Sequence, residues 1–306
     1  MRVLFISSGK SGKPGDVVLN QGESLKQAGI DVDFFLIKRG LAGYVSSVPQ
    51  IRKAWKKGDY DLVHAHYSLS AFAASVAGRF PLVVSLMGSD VFMSFILRMT
   101  ARILSRCRWK VTIVKTEQMK EILNIKGAEV IPNGVDMKLF SPVSWEEARK
   151  YLDYPLTKKL IVVVSAPGRP EKNLELALEA IEILNDKGIE LRHLYNIARN
   201  DMPYWLSAAD VLLITSRYEG SVNVVKEAMA CNCPVVSTDV GDVRRVTGNT
   251  AGCHITSFDA QEVAASVRKA LGFNARTNGR ERIISLGLDS ESVARKIRSV
   301  YERAIS

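Results

Sequence analysis

Along the chain, short continuous runs of aliphatic and β-branched residues alternate with longer stretches whose apolar positions recur at helical spacing. Residues 2–7, 32–37, 62–65, 82–86, 111–114 and 129–131 read as strands, and the amphipathic stretch 17–28 reads as a helix closed by Gly29. Uninterrupted Val/Ile/Leu runs separated by helical segments are the pattern of a parallel sheet covered on both faces. An open, doubly wound α/β domain is therefore expected over residues 1–140. Residues 141–155, with two prolines and several polar side chains, break the alternation and read as a connection. A second domain is expected over 156–289, with a buried run at 160–164, a helix from about 171 to 187, and strands at 189–194, 211–214 and 234–237. The segment 290–306 has helical spacing and is expected to pack back on the first domain. Two such domains in tandem would face each other across a cleft, a common place for a small-molecule site.

Composition changes this picture little. Of 306 residues, 47% are apolar and 24% charged, as in an ordinary globular protein. Charge says more. The net of +10 comes almost wholly from residues 1–150, with 22 basic and 13 acidic side chains against 20 and 19 in the rest. The first domain is thus expected to meet something anionic. No nucleic-acid recognition motif accompanies the charge, so nucleic acid is not an expected partner. Arg98, Arg102 and Arg106 fall at i, i+4, i+8 among apolar neighbours, which suits anionic lipid headgroups. Cys107, Cys231, Cys233 and Cys253 lack the spacing of a disulfide framework, zinc site or redox motif, and read as buried reduced thiols. The apolar N-terminal run is too short for a signal peptide. Residues 67–89 carry one charge, Arg79, but Gly78 and Pro81 divide them into two buried elements rather than one membrane span. A soluble, cytoplasmic protein is expected, with the inner membrane face as a candidate surface.

Three stretches carry candidate chemistry. Gly9, Gly12 and Gly15 follow the first strand as G-x-x-G-x-x-G, not the dinucleotide fingerprint, and read either as a plain turn or as a loop whose backbone N–H groups meet phosphate. Gly168-Arg169-Pro-Glu-Lys172 lies between a strand and a helix, where Arg169 and Lys172 would form a compact positive pocket for a diphosphate. In residues 215–239 a strand turns at Glu219-Gly220 into a helix from about Val222. Glu227 lies eight residues beyond Glu219, about 12 Å along a helix axis, so both carboxylates could face one groove.

The run from Glu219-Gly-Ser to Glu227-Ala-Met-Ala-Cys-Asn-Cys-Pro-Val-Val-Ser resembles the signature of retaining glycosyltransferases of family 4, which have the GT-B fold. Ile131-Pro-Asn133-Gly-Val-Asp136, Gly168-Arg-Pro-Glu-Lys172-Asn and Asp61-Leu-Val-His64-Ala-His66-Tyr resemble other blocks of that family, in its order. The resemblance implies two Rossmann-like domains facing a cleft, a nucleoside-diphosphate sugar on the second and a glycan or lipid-linked acceptor on the first. It implies that Glu227 accepts hydrogen bonds from ribose hydroxyls and that Glu219 holds a hydroxyl of the donor sugar. The backbone at Gly220, Ser221, Val222 and Asn223 would contact sugar and diphosphate, while Arg169 and Lys172 would neutralise the departing phosphate. Gly12 and Asn133 are further candidate substrate contacts.

Two departures from the family pattern stand out. Met87 occupies the place of a histidine that many members carry near the reacting sugar, leaving Asp90 and His66 as candidates for acid–base work. Asp90 also fits a helix N-cap before Val91, and His66 a buried structural histidine; His64 is expected on the opposite strand face. The second domain is shortened between the strand near Leu191 and Asp210, where relatives have a further helix and strand. With no Asp-x-Asp motif on a strand end to hold a divalent ion, no metal is expected, and no cofactor. Sugar transfer with retention is the expected activity, with two alternatives kept open: an isomerase of the same fold, such as a nucleotide-sugar 2-epimerase, and a non-catalytic nucleotide-sugar-binding subunit.

Overall fold

The computed structural model describes residues 1–10, 12–38, 40–92 and 94–306. The chain divides into two units, the first made of Met1–Gly134 with Ser290–Ser306 and the second of Val135–Asp289.

In the first unit, β1 (Arg2–Lys10), β3 (Asp31–Ile37), β4 (Leu62–His66), β5 (Leu82–Ser85), β6 (Val111–Val114) and β7 (Glu129–Val130) form a parallel sheet in the order β3-β1-β4-β5-β6-β7. A two-residue strand, β2 (Lys13–Pro14), folds antiparallel onto the end of β1. Gly9 permits that hairpin, because a Cβ there would lie 2.7 Å from the Lys13 carbonyl oxygen. Leu4, Ile6, Val63, Ala65 and Val84 face one way, under the helices Leu41–Gly58, Ser68–Ala77 and Phe95–Cys107. Val3, Phe5, Leu62, Val83 and Ile113 face the other way, under Asp16–Gln27 and the C-terminal helix Ser290–Ile305. Short polar side chains start several helices: Ser94 accepts from Leu97 N, Thr116 from Met119 N.

The second unit is also a parallel sheet, β8 (Lys159–Val164), β9 (Ile189–Leu194), β10 (Val211–Ile214), β11 (Val235–Thr238) and β12 (His254–Thr256), in the order β12-β11-β10-β8-β9. Residues 141–155, read from sequence as an open connection, instead hold the helix Trp145–Tyr151 and belong to this unit. The fully buried Arg149 fixes that helix. Its guanidinium pairs with Asp210 at 2.7 Å, donates to the carbonyls of Pro155, Lys158 and Ala208, and lies 3.9 Å from the centre of the Trp145 ring. The expected helix over 171–187 is a 3₁₀ turn, Pro170–Lys172, and a helix, Leu174–Leu184, divided at Asn173 in the left-handed region. β9 is followed directly by the helix Met202–Ala208.

Both sheets share one topology: the first strand lies inside, its successor on one side and the rest on the other. The order reverses beside β1 in one unit and beside β8 in the other. Such reversals open a crevice at the carboxyl ends of the two strands that part there. Loops leaving β1 and β4, and loops leaving β8 and β10, are thus where ligand-binding groups belong. Among the described residues no helix is long and apolar enough to cross a membrane. Cys231 and Cys233 are buried, but Cys107 is exposed on a helix surface, contrary to the sequence reading.

Candidate functional site

The crevice of the second unit is built by β8 and β10. The Thr215 hydroxyl, just past β10, donates to the carbonyls of Lys172 (3.1 Å) and Asn173 (2.9 Å), and Arg217 N donates to Glu171 O at 2.8 Å. These bonds bring the loop after β8 against the loop after β10, so that Lys172 Nζ meets the Glu219 carboxylate. Ser216 Oγ donates to the same Glu219 oxygen at 2.8 Å. Arg169 ion-pairs with Glu171. The compact positive pocket expected from sequence is therefore two mixed pairs, each cation facing a carboxylate. Any diphosphate entering here competes with Glu171 and Glu219 for their partners.

The loop from Glu219 to Val222 is anchored from beneath. Asp242, in the turn after β11, accepts from Val222 N (2.9 Å) and Ser221 Oγ (2.9 Å) and pairs with Lys226 Nζ at 2.7 Å. Lys226 also donates to Ser221 Oγ. This pair is nearly dry, with side chains 1% and 4% exposed. Next to it the backbones touch: Gly241 has φ +57°, and a Cβ there would sit 2.7 Å from Gly220 O. Two expectations change as a result. The Val222 N–H, expected to contact sugar and diphosphate, is spent on Asp242, as is the Ser221 hydroxyl. The helix also starts at Asn223, so Glu219 lies in the loop and the 12 Å axial spacing to Glu227 does not apply. Glu227 is half-buried one turn inside the helix.

In the first unit, His66 ends β4 with Nε2 3.1 Å from Gln21 Oε1 on the helix that follows the hairpin. His64 and His66 share a face, their rings stacked 4.2 Å apart, because side chains two residues apart in a strand point the same way. The expectation of opposite faces is thus corrected. His64 is saturated: the hydroxyls of Tyr301 (2.5 Å) and Ser85 (2.9 Å) occupy its ring nitrogens. Burial, with the nearby Lys115 adding repulsion, pushes the His66 imidazole down to about 3. His66 Nδ1 and Gln21 Nε2 are buried and without a hydrogen-bond partner.

Asp90 is buried, and its carboxylate accepts from the backbone N–H groups of Met87 (3.0 Å), Gly88 (2.9 Å) and Ser68 (3.1 Å). It lies inside the short helix Ser89–Phe92 rather than at its N-cap, and it ties the loop after β5 to the loop after β4. Burial raises its carboxyl above the ordinary value, against the pull of those backbone bonds. Between the two loops Tyr67 adopts φ +76°, a conformation that costs a bulky side chain about 1–3 kcal/mol and that Tyr67 N donating to Ser85 O helps to hold. Gly12 is exposed at the hairpin tip and Asn133 half-buried at the end of Met1–Gly134.

The buried histidines give a pH prediction. Above pH 6.5 His66 is neutral both folded and unfolded. Between 6.5 and about 3 the unfolded chain takes up a proton that the folded one refuses, so stability falls as pH falls. Denaturant midpoints measured across this window should decline steadily, and less steeply in His66→Gln.

Lys226, Asp242, Gln21 and Tyr301 are the contributors that sequence reading missed. A signal existed for Lys226 alone, which falls four residues from both Val222 and Ala230 on the helix's buried stripe.

Comparison with known proteins adds a family. Residues 159–272 match the model for glycosyl transferases group 1, and residues 2–139 match that for glycosyltransferase family 4. A Bacillus subtilis (strain 168) protein named as a teichuronic acid biosynthesis glycosyltransferase, TuaC, is 29% identical over an alignment of 249 residues that covers 72% of this chain. The chain spans 64% of TuaC's length, just under two thirds. Sucrose-phosphate synthase from Thermosynechococcus elongatus superposes with a TM-score of 0.83 at 19% identity, covering 99% of this chain and 98% of that one. Anabaena Alr3699/HepE, in complex with UDP-glucose, superposes with a TM-score of 0.75 at 18% identity, covering 99% of both chains.

Proposed function

Because the chain belongs to glycosyltransferase family 4 and has the GT-B fold of two Rossmann-like domains, we propose that it transfers a sugar, with retention, from a nucleoside diphosphate to an acceptor hydroxyl. The observation that carries this reading is the second unit's crevice, where Lys172, Glu219, Arg169 and the first turn of Asn223–Ala230 converge. The diphosphate lies against that helix start, and its charge draws Arg169 and Lys172 away from their carboxylates. Glu219, released from Lys172, accepts a hydroxyl of the donor sugar, and Glu227 accepts the ribose hydroxyls. As the glycosidic bond breaks, negative charge grows on the leaving phosphate, and the two cations stabilise it more than they stabilise the bound donor.

His66 is assigned to the acceptor. A hydroxyl placed beside β4 donates to His66 Nδ1 and accepts from Gln21 Nε2, satisfying both orphaned atoms. With so weak a base, His66 positions the hydroxyl rather than deprotonating it. Asp90 shapes the loops and takes no proton from substrate, since its oxygens are committed to backbone N–H groups. TuaC's name supports a cell-surface glycan or lipid-linked acceptor, HepE's complex makes a UDP-hexose the first donor to test, and a cytoplasmic site of action suits a nucleotide-sugar donor.

A thermal-shift screen against uridine, guanosine and adenosine diphosphate sugars tests the donor site, since stabilisation rises with ligand concentration over Kd. One base should stand out; no shift with any of them counts against the reading, as does a nucleotide sugar epimerised without acceptor. Glu227→Ala should weaken nucleotide binding by about 1–3 kcal/mol in calorimetry. Unchanged affinity removes Glu227 from the ribose.

A further inference from the structure

Helices Leu41–Gly58, Ser68–Ala77 and Phe95–Cys107 pack side by side over one face of the first unit's sheet. Together they carry seven Lys and Arg and no Asp or Glu. They also hold half of the large apolar side chains that the described residues leave exposed. Phe95, Ile96, Met99 and Ile103 form a ridge along the third helix, with Ile96 75% exposed. Leu41 and Val45 are bare on the first helix. The first turns of these two helices follow the carboxyl ends of β3 and β5, so both apolar clusters lie toward the same end of the sheet. The opposite helix layer is different in kind, mixing acidic Asp16, Glu23, Glu291 and Glu302 among its cations.

The arginine row read from sequence is not what makes this surface. Arg102 donates to the carbonyls of Leu123 (2.6 Å) and Ile122 (2.8 Å), capping the neighbouring helix Glu117–Leu123, and Arg98 reaches Val91 O and lies over the Phe95 ring. Their charges stay on this side of the sheet while their donors are partly used. What faces solvent is the apolar ridge one helical row away, with Arg106 exposed beside it and Lys53, Lys56 and Lys57 on the first helix. A ridge of large apolar side chains on helices whose own charges are all positive is the composition of a helix that lies in a lipid interface, its apolar row among the acyl chains and its cations at the headgroups.

We propose that this three-helix face docks on an anionic lipid bilayer, with Phe95, Ile96, Met99 and Ile103 as the inserted row. The proposal goes beyond the donor chemistry, which belongs to the other unit, and stands or falls separately from it.

Sedimentation of the full chain with vesicles of phosphatidylglycerol and phosphatidylcholine, and with phosphatidylcholine alone, tests it. The chain should sediment with the mixed vesicles and much less with phosphatidylcholine. Replacing Phe95, Ile96 and Ile103 by Ser should lower the bound fraction about tenfold or more. Lys53→Gln with Lys56→Gln and Lys57→Gln should remove most of the preference for the anionic lipid. A nucleotide-sugar thermal shift retained by both variants shows that they are folded; if neither variant nor parent shifts, circular-dichroism melting serves the same end and the vesicle result still decides. Equal sedimentation of parent and Ser variant overturns the proposal. So does a parent that ignores vesicles but is a dimer by sedimentation equilibrium and becomes monomeric in the Ser variant, because the ridge then covers a second copy.

Discussion

Lys226→Met is expected to lower the unfolding free energy by about 3–5 kcal/mol, because it leaves Asp242 charged and buried without its counter-ion. Urea denaturation of the purified chain measures this. The double variant Lys226→Met, Asp242→Leu should recover most of that stability, since no buried charge is then left unpaired. Activity should not return with it. Val222 N and Ser221 Oγ lose their acceptor in the double variant, and the turn carrying Glu219 loses what holds it. A single-variant loss below about 1 kcal/mol would mean that water reaches the pair and that it behaves as a surface ion pair.

The second large effect concerns turnover. Lys172→Ala should reduce kcat about 10²–10³-fold, the usual consequence of deleting one fixed group aimed at developing charge. KM for the donor should move far less, because in the resting protein Lys172 is held by Glu219 and binding must first break that contact. Initial rates of nucleoside-diphosphate release at varied donor concentration separate the two constants. A rise in KM with kcat intact would make Lys172 a docking group only.

The sheets were legible in the sequence because buried parallel strands are written as continuous runs of β-branched residues, as in residues 160–164 and 211–214. Strand β2 was not, since Lys13 and Pro14 have no strand character and pair only because the backbone turns back at the hairpin. The helix Trp145–Tyr151 could have been found. Ser144 followed three residues later by Glu147 is a capping-box spacing, and Ser144 Oγ does accept from Glu147 N. The flanking prolines outweighed it. The placement of Arg169, Lys172 and Glu219 on one crevice follows from loops at a strand-order reversal, which motif order along the chain already suggests. The pairing of Lys172 with Glu219 does not follow, because it depends on side-chain reach across two loops 47 residues apart. Asp242 is hidden for the same reason. It lies 20 residues from the backbone N–H it binds, on a different element.

The return of Ser290–Ile305 to the first unit has a bearing on how the chain acquires its shape during synthesis. Val135–Asp289 is one unbroken stretch and can fold as soon as it clears the ribosome. The earlier residues cannot finish, because Ile297, Val300 and Tyr301 cover Val3, Phe5 and Leu62. The part of that face which Ser290–Ile305 covers stays bare while 155 further residues are translated, an apolar surface open to association during synthesis.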